Sequence, residues 1–177
     1  MYTVVAVVIT ASATLLAVHV TNRGNTSRLL FQLRHERDAR RDVLHREKLE
    51  ELYLLAVKYS ELLAIGFLPY VRVMEGKLNY NQALDLEIAR DRESTPDFDR
   101  LQMLVDIYFP ELCEPLKELL DARDESNGIL AAHKAEYKQG HCDGREFVEP
   151  MFAALERVDD AGKRFLSKIV AREKAVR

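Results

Sequence analysis

Residues 2–20 form an uncharged apolar run without Pro or Gly, and no other stretch of the chain limits its fold as strongly. Its length matches the ~20 apolar residues a helix needs to cross the hydrocarbon core of a bilayer. Only Thr3, Thr10, Ser12, Thr14 and His19 interrupt it, and they do not share a face, unlike the polar side of an ordinary surface helix. The run therefore predicts a transmembrane anchor, with residues 1–22 as its domain.

Charge orients the anchor. No basic residue precedes the run, whereas Arg23, Arg28, Arg34, Arg37, Arg40 and Arg41 follow it, so the positive-inside bias predicts an outer N-terminus and a cytoplasmic C-terminal domain in a plasma (inner) membrane. A secretory signal is the competing interpretation, because Ala11-Ser12-Ala13 has the small-x-small form of a cleavage site. It lacks the basic segment that should come first, and the arginines behind it oppose export. Within the run Ala6, Thr10, Ala13 and Ala17 recur at spacings of four, three and four, a stripe of small residues that would let two such helices approach closely. Self-association in the membrane is the expectation.

Residues 23–48 carry eight basic side chains against four acidic ones, a surplus of four; with the whole chain at −3, the remainder carries −7. A basic membrane-proximal segment suits an anionic leaflet, which makes membrane lipid a partner, and an acidic distal domain is a poor ligand for nucleic acid. Residues 34–48 hold few apolar side chains and read as a polar helical stalk. A coiled-coil register through Leu30, Leu33, Leu44 and Leu54 puts charged residues on the seam, so sustained heptads are absent.

From Leu49 onward apolar residues crowd more than one face, as in a central helix packed on several sides. Gly66 and Pro69 then bend or end it. Shorter helices follow, with stops at Gly76 and Gly140, a polar loop over residues 91–94, a helix start at Thr95-Pro96-Asp97, a break at Pro110 and a possible break at Asn127-Gly128. The last helix shows a ridge of Val148, Met151, Phe152, Leu155, Val158, Phe165, Leu166 and Ile169, and Gly162 on that ridge predicts a close helix crossing. No strand pattern of useful length appears. The expected class is all-α: an anchor, a stalk over residues 23–48, and a cytoplasmic bundle of four to six helices over residues 49–177.

The residues that could carry chemistry do not assemble into a motif. Asp42-x-x-His45 lacks the second such pair of a di-iron bundle. His133, His141, Cys142 and Asp143 do not have zinc-module spacing, and a calcium loop centred on Gly128 would place Arg123 and Lys134 where carboxylates belong. Cys113 reads as a buried or half-buried structural thiol. The expectation is a non-enzymatic, cofactor-free, metal-free single-pass membrane protein of a bacterial type, whose helical domain makes protein contacts or self-assembles as a homo-oligomer. The alternative is a ligand- or partner-triggered membrane effector, for example in bacterial defence. It would need a basic pocket, for which Arg72, Lys77, Arg90, Arg92 and Arg100 are the nearest cluster in sequence.

Overall fold

The structure is a computed structural model that describes the backbone of residues 2–94 and 97–176, and the side chains of residues 22, 23, 25, 28–89 and 97–174. Among the described residues there are helices and turns and no strand. The elements are α1 (Tyr2–Gly66), α2 (Leu68–Met74), α3 (Tyr80–Ser94), α4 (Phe98–Tyr108), a 3-10 turn (Pro110–Leu112), α5 (Cys113–Lys138) and α6 (Arg145–Val176). The chain divides into two compact units, Met1–His45 and Arg46–Arg177.

By length and composition α1 is a helix that could cross a membrane. Among the described residues the apolar window lies within Arg28–Met74, and 33% of it is buried inside the protein. That burial marks the central helix, whose Leu52, Ala56, Tyr59 and Leu63 lie in the core. Residues 2–20, the expected anchor, are helical in backbone, while the side chains of Ala6, Thr10, Ala13 and Ala17 lie outside the described residues. Residues 21–27, with Gly24 among them, are spanned by α1.

In the first unit the described side chains face solvent, except the half-buried His45 at its end. Arg23, Arg28, Arg34, Arg37, Arg40 and Arg41 are exposed, as are Leu29, Leu30, Phe31 and Leu33. Glu36 and Arg40 approach to 4.0 Å one helical turn apart.

The second unit is built around the C-terminal part of α1. Leu49, Leu52, Ala56, Tyr59 and Leu63 recur at spacings of three and four, which puts them on one face. Against that face pack Leu101, Leu104 and Val105 of α4, Leu116 and Leu119 of α5, and Val158, Ala161, Phe165 and Ile169 of α6. A smaller core joins Phe67 and Val71 and Met74 of the α2 region to Met151 of α6. Gly162 lies where the sequence places a close crossing: a Cβ there would sit 3.0 Å from Ser60 Oγ on α1.

Local chemistry sets the ends of these helices. Gly66 and Pro69 separate α1 from α2. Gly76 and Gly140 turn the chain at φ +73° and +93°, a left-handed region that glycine enters without a Cβ penalty. Asn79 and Gln82 cap α3 reciprocally, each backbone N–H donating to the other's side-chain oxygen at 2.9 Å. Pro110 closes α4 and opens the 3-10 turn.

Four local expectations give way. Residues 91–94 continue α3 as helix rather than loop, because the amide-rich cap at Asn79 starts a turn that nothing before Ser94 interrupts. The cap of α4 is Asp97, whose carboxylate accepts from Arg100 N at 2.8 Å, so the helix starts at Phe98; Thr95 and Pro96 lie outside the described residues. Asn127-Gly128 does not break α5, since packing along α6 carries the helix through it. Cys113 is exposed rather than buried, standing at the first position of α5 with its thiol 3.9 Å from the Asp106 carboxylate.

Charged side chains tie the helices laterally. Arg100 grips Glu51 with two bonds of 2.6 and 3.1 Å, and Lys48 adds a third at 2.8 Å. This environment, led by the Arg100 hydrogen bonds, holds the Glu51 carboxyl down to about 2. Along the α5–α6 seam Arg157 meets Glu125 at 2.6 Å and Arg164 meets Glu118 at 3.3 Å, while Arg172 reaches Glu111 of the 3-10 turn at 2.5 Å.

Candidate functional site

The helical face of α1 that carries Arg46, Leu49, Glu50, Tyr53 and Leu54 runs alongside Ile169, Val170 and Glu173 of α6, and an apolar groove of about 430 Å³ opens between them. The α1 residues follow i, i+3, i+4, i+7 and i+8, so one stripe of the helix supplies them all. The floor belongs to the core, with Leu49 and Ile169 buried. The walls do not: Leu54 is 61% exposed, Val170 41% and Tyr53 39%. Arg46 and Glu173 close one end, 3.9 Å apart. Fully burying a leucine or valine side chain is worth roughly 1.5–3 kcal/mol, so a partner that covered Leu54 and Val170 would gain on the order of 2 kcal/mol from these two alone. The groove offers apolar area and three charges at its rim, the equipment for holding a helix or an apolar side chain. The apolar density from Leu49 onward predicts a helix packed on several sides, and here one of those sides of α1 is open. Its surplus of apolar residues over one face, Tyr53 and Leu54 beyond Leu49, Leu52 and Ala56, is the signal that marks an uncovered side.

A second constellation lies at the α2, α3, α5 and α6 ends. His133 of α5 is fully buried, with Nδ1 2.7 Å from the Tyr80 hydroxyl of α3. Its ring stacks on Tyr80 at 5.6 Å and meets Tyr137 and Phe147 at 6.1 and 5.3 Å. Burial pushes the His133 imidazole below its usual range, and burial together with the nearby Tyr137 pushes the Tyr80 phenol up to about 12. Lys134 sits 5.7 Å above the Tyr80 ring. Tyr70, beside Tyr80, donates to the Glu87 carboxylate. A shallow cleft of about 350 Å³ flanks this cluster, lined by residues including Lys77, Asn79, Gln82, Tyr137 and Cys142.

The candidates that the sequence placed near one another are not brought together here. His141 pairs with Glu136 at 2.8 Å and Asp143 with Arg145 at 2.6 Å, both on the surface, while His133 is buried. Among the described residues no group of three or more His, Cys, Asp or Glu is placed to hold a metal ion. Of the basic residues needed for an anion pocket, Lys77 lies on the cleft and pairs with Glu75 at 2.9 Å, and Arg100 is engaged by Glu51. Arg72 is exposed, and the side chains of Arg90 and Arg92 lie outside the described residues. No protein-family model, no curated protein and no solved structure matches this chain.

Proposed function

We propose that this chain is a single-pass membrane protein, anchored by residues 2–20 with its N-terminus outside, whose stalk and cytoplasmic helical bundle serve protein contact and self-assembly. The observation that carries the proposal is the α1–α6 groove, where Tyr53, Leu54 and Val170 remain exposed above a buried floor. Solvated helices in a finished monomer bury such a stripe, and an apolar patch rimmed by charge marks an interaction surface. A second copy is the occupant that fits best. Anchoring confines copies to one plane and one orientation, which raises their effective concentration, and the rim supplies both signs, Arg46 against Glu50 and Glu173, as a self-complementary contact requires.

The triggered-effector reading would need converging cations, and Lys77 and Arg100 are each held by a carboxylate instead. The test is the mass, by light scattering, of the detergent-solubilised full-length protein beside its Leu54→Glu variant. The expected result is an oligomer that the variant breaks into monomers. An oligomer unchanged by Leu54→Glu would move assembly to the Ala6, Thr10, Ala13 and Ala17 stripe, and a monomer in both cases would make the occupant a different protein.

A further inference from the structure

His133 is the one histidine among the described residues that is fully buried, and its burial is incomplete in one respect. Nδ1 is satisfied by the Tyr80 hydroxyl, but Nε2 has no hydrogen-bond partner among the described residues. It abuts Gly144 so closely that a Cβ on that glycine would fall 2.3 Å from Nε2. If the phenol donates to Nδ1, the ring proton sits on Nε2 against a Cα; if Nδ1 donates to the phenol oxygen, Nε2 is a bare lone pair. Both neutral tautomers fit, the second at lower cost. The imidazolium fits worst, because it keeps the unpartnered Nε2–H against Gly144 and adds a positive charge that burial leaves uncompensated.

The surroundings give the cation no compensation. From α3 comes the neutral Tyr80 phenol; from α5 come Tyr137 and the ammonium of Lys134, a like charge; from α6 comes the Phe147 ring. The neighbouring carboxylates are committed elsewhere, Glu136 to His141, Asp143 to Arg145 and Glu87 to Tyr70. The ring also stands where two connections meet. Tyr80 begins α3 directly after the Gly76 turn, and Gly144 ends the turn between α5 and α6. Nearby apolar packing belongs to the smaller core around Met74 and Met151, apart from the main one.

We propose that His133 is a pH-sensitive latch that keeps the α2–α3 and α5–α6 connections closed at neutral pH and releases both on acidification, while the main core stays folded. The direction follows from burial. The folded state disfavours the protonated ring, so opened states bind more protons below the unperturbed pKa near 6.5. Closure is fully supported above about pH 6.5 and is lost progressively as pH falls toward the depressed value of the folded ring. If the closed state binds no proton down to pH 5.5, one proton linked in this way raises the opening equilibrium by roughly tenfold between pH 7.5 and pH 5.5.

The experiment is amide hydrogen exchange of the full-length protein in detergent at pH 7.5 and 5.5, corrected for intrinsic exchange rates. Residues 76–82 and 139–147 should lose protection about tenfold, with residues 101–108 and 116–122 unchanged. His133→Phe, which keeps a ring in the aromatic cluster, should abolish the pH response, and His141→Gln should retain it. A response that survives in His133→Phe, disappears in His141→Gln or spreads evenly over the bundle would overturn the proposal. If His133→Phe fails to fold, an NMR titration of the wild-type imidazoles decides: opening that does not track a histidine titrating below 6.5 overturns it too.

Discussion

Replacing Gly144 by alanine adds one carbon where three atoms already stand. The new Cβ would lie 2.3 Å from His133 Nε2, 2.7 Å from its Cδ2 and 2.8 Å from the Cα of Met74. Contacts below 3.0 Å cannot be relieved by a rotamer change when one neighbour is backbone and the other a ring wedged among Tyr80, Tyr137 and Phe147. Small-to-large changes in packed sites cost about 1–3 kcal/mol. A compensating gain of about 0.4–1 kcal/mol comes from the stiffer unfolded chain. The net expectation is a loss of about 1–2 kcal/mol, which for a domain of this size lowers Tm by roughly 3–8 °C. Urea unfolding of the solubilised protein, followed by far-ultraviolet circular dichroism, measures it. The two sites should also be coupled: adding His133→Ala should make Gly144→Ala less costly than it is in the wild type, because part of the clash is with that ring. A Gly144→Ala variant as stable as wild type would refute the close packing of this turn on His133.

Gly128 provides the opposite case. It sits inside α5 with nothing within 4 Å of a built Cβ, so Gly128→Ala should stabilise by about 0.5–1 kcal/mol through helix propensity, read as a higher urea midpoint. Glu51, lowered from 4.5 to about 2 chiefly by Arg100, contributes stability that is present above pH about 4.5 and lost as pH falls toward 2. Between those values the urea midpoint of the wild type should fall more steeply than that of Glu51→Gln; parallel slopes would remove the carboxylate from the account. Cys113 is exposed, yet partial desolvation and Asp106 beside it raise its thiol pKa, so it should react with maleimide more slowly at pH 7 than free cysteine does. Equal rates would contradict that.

The helices were legible because their signals are local. The spacing of Leu49, Leu52, Ala56, Tyr59 and Leu63 and the stops at Gly66, Gly76, Pro110 and Gly140 are properties of a few consecutive residues, and the elements follow them. Gly162 was legible too, since a glycine on an apolar ridge costs helix propensity and close approach to Ser60 offsets it. Positions whose outcome depends on distant partners were not. Asn127-Gly128 looks like a break until α6 lies along α5, and Cys113 looks apolar until its side of α5 proves to face solvent. The groove was half legible: Tyr53 and Leu54 exceed what one face can bury, but no local rule says which side stays open. The Tyr80–His133 pair spans 53 residues of sequence, and neither residue sits in a motif that would couple them.

At the centre of the proposed function is a groove between α1 and α6 that is covered by protein in the cell. With Cys113 and Cys142 replaced by serine, cysteines placed singly at Leu54 and at the exposed Glu156 should be compared for their reaction rate with a membrane-permeant maleimide, first in whole cells and then after detergent extraction and dilution. The account predicts a Leu54→Cys thiol protected at least several-fold in cells and released on dilution, with Glu156→Cys equally reactive in both. A Leu54→Cys thiol that reacts in cells as fast as Glu156→Cys would mean that nothing covers the groove, and the proposed function would fall with it.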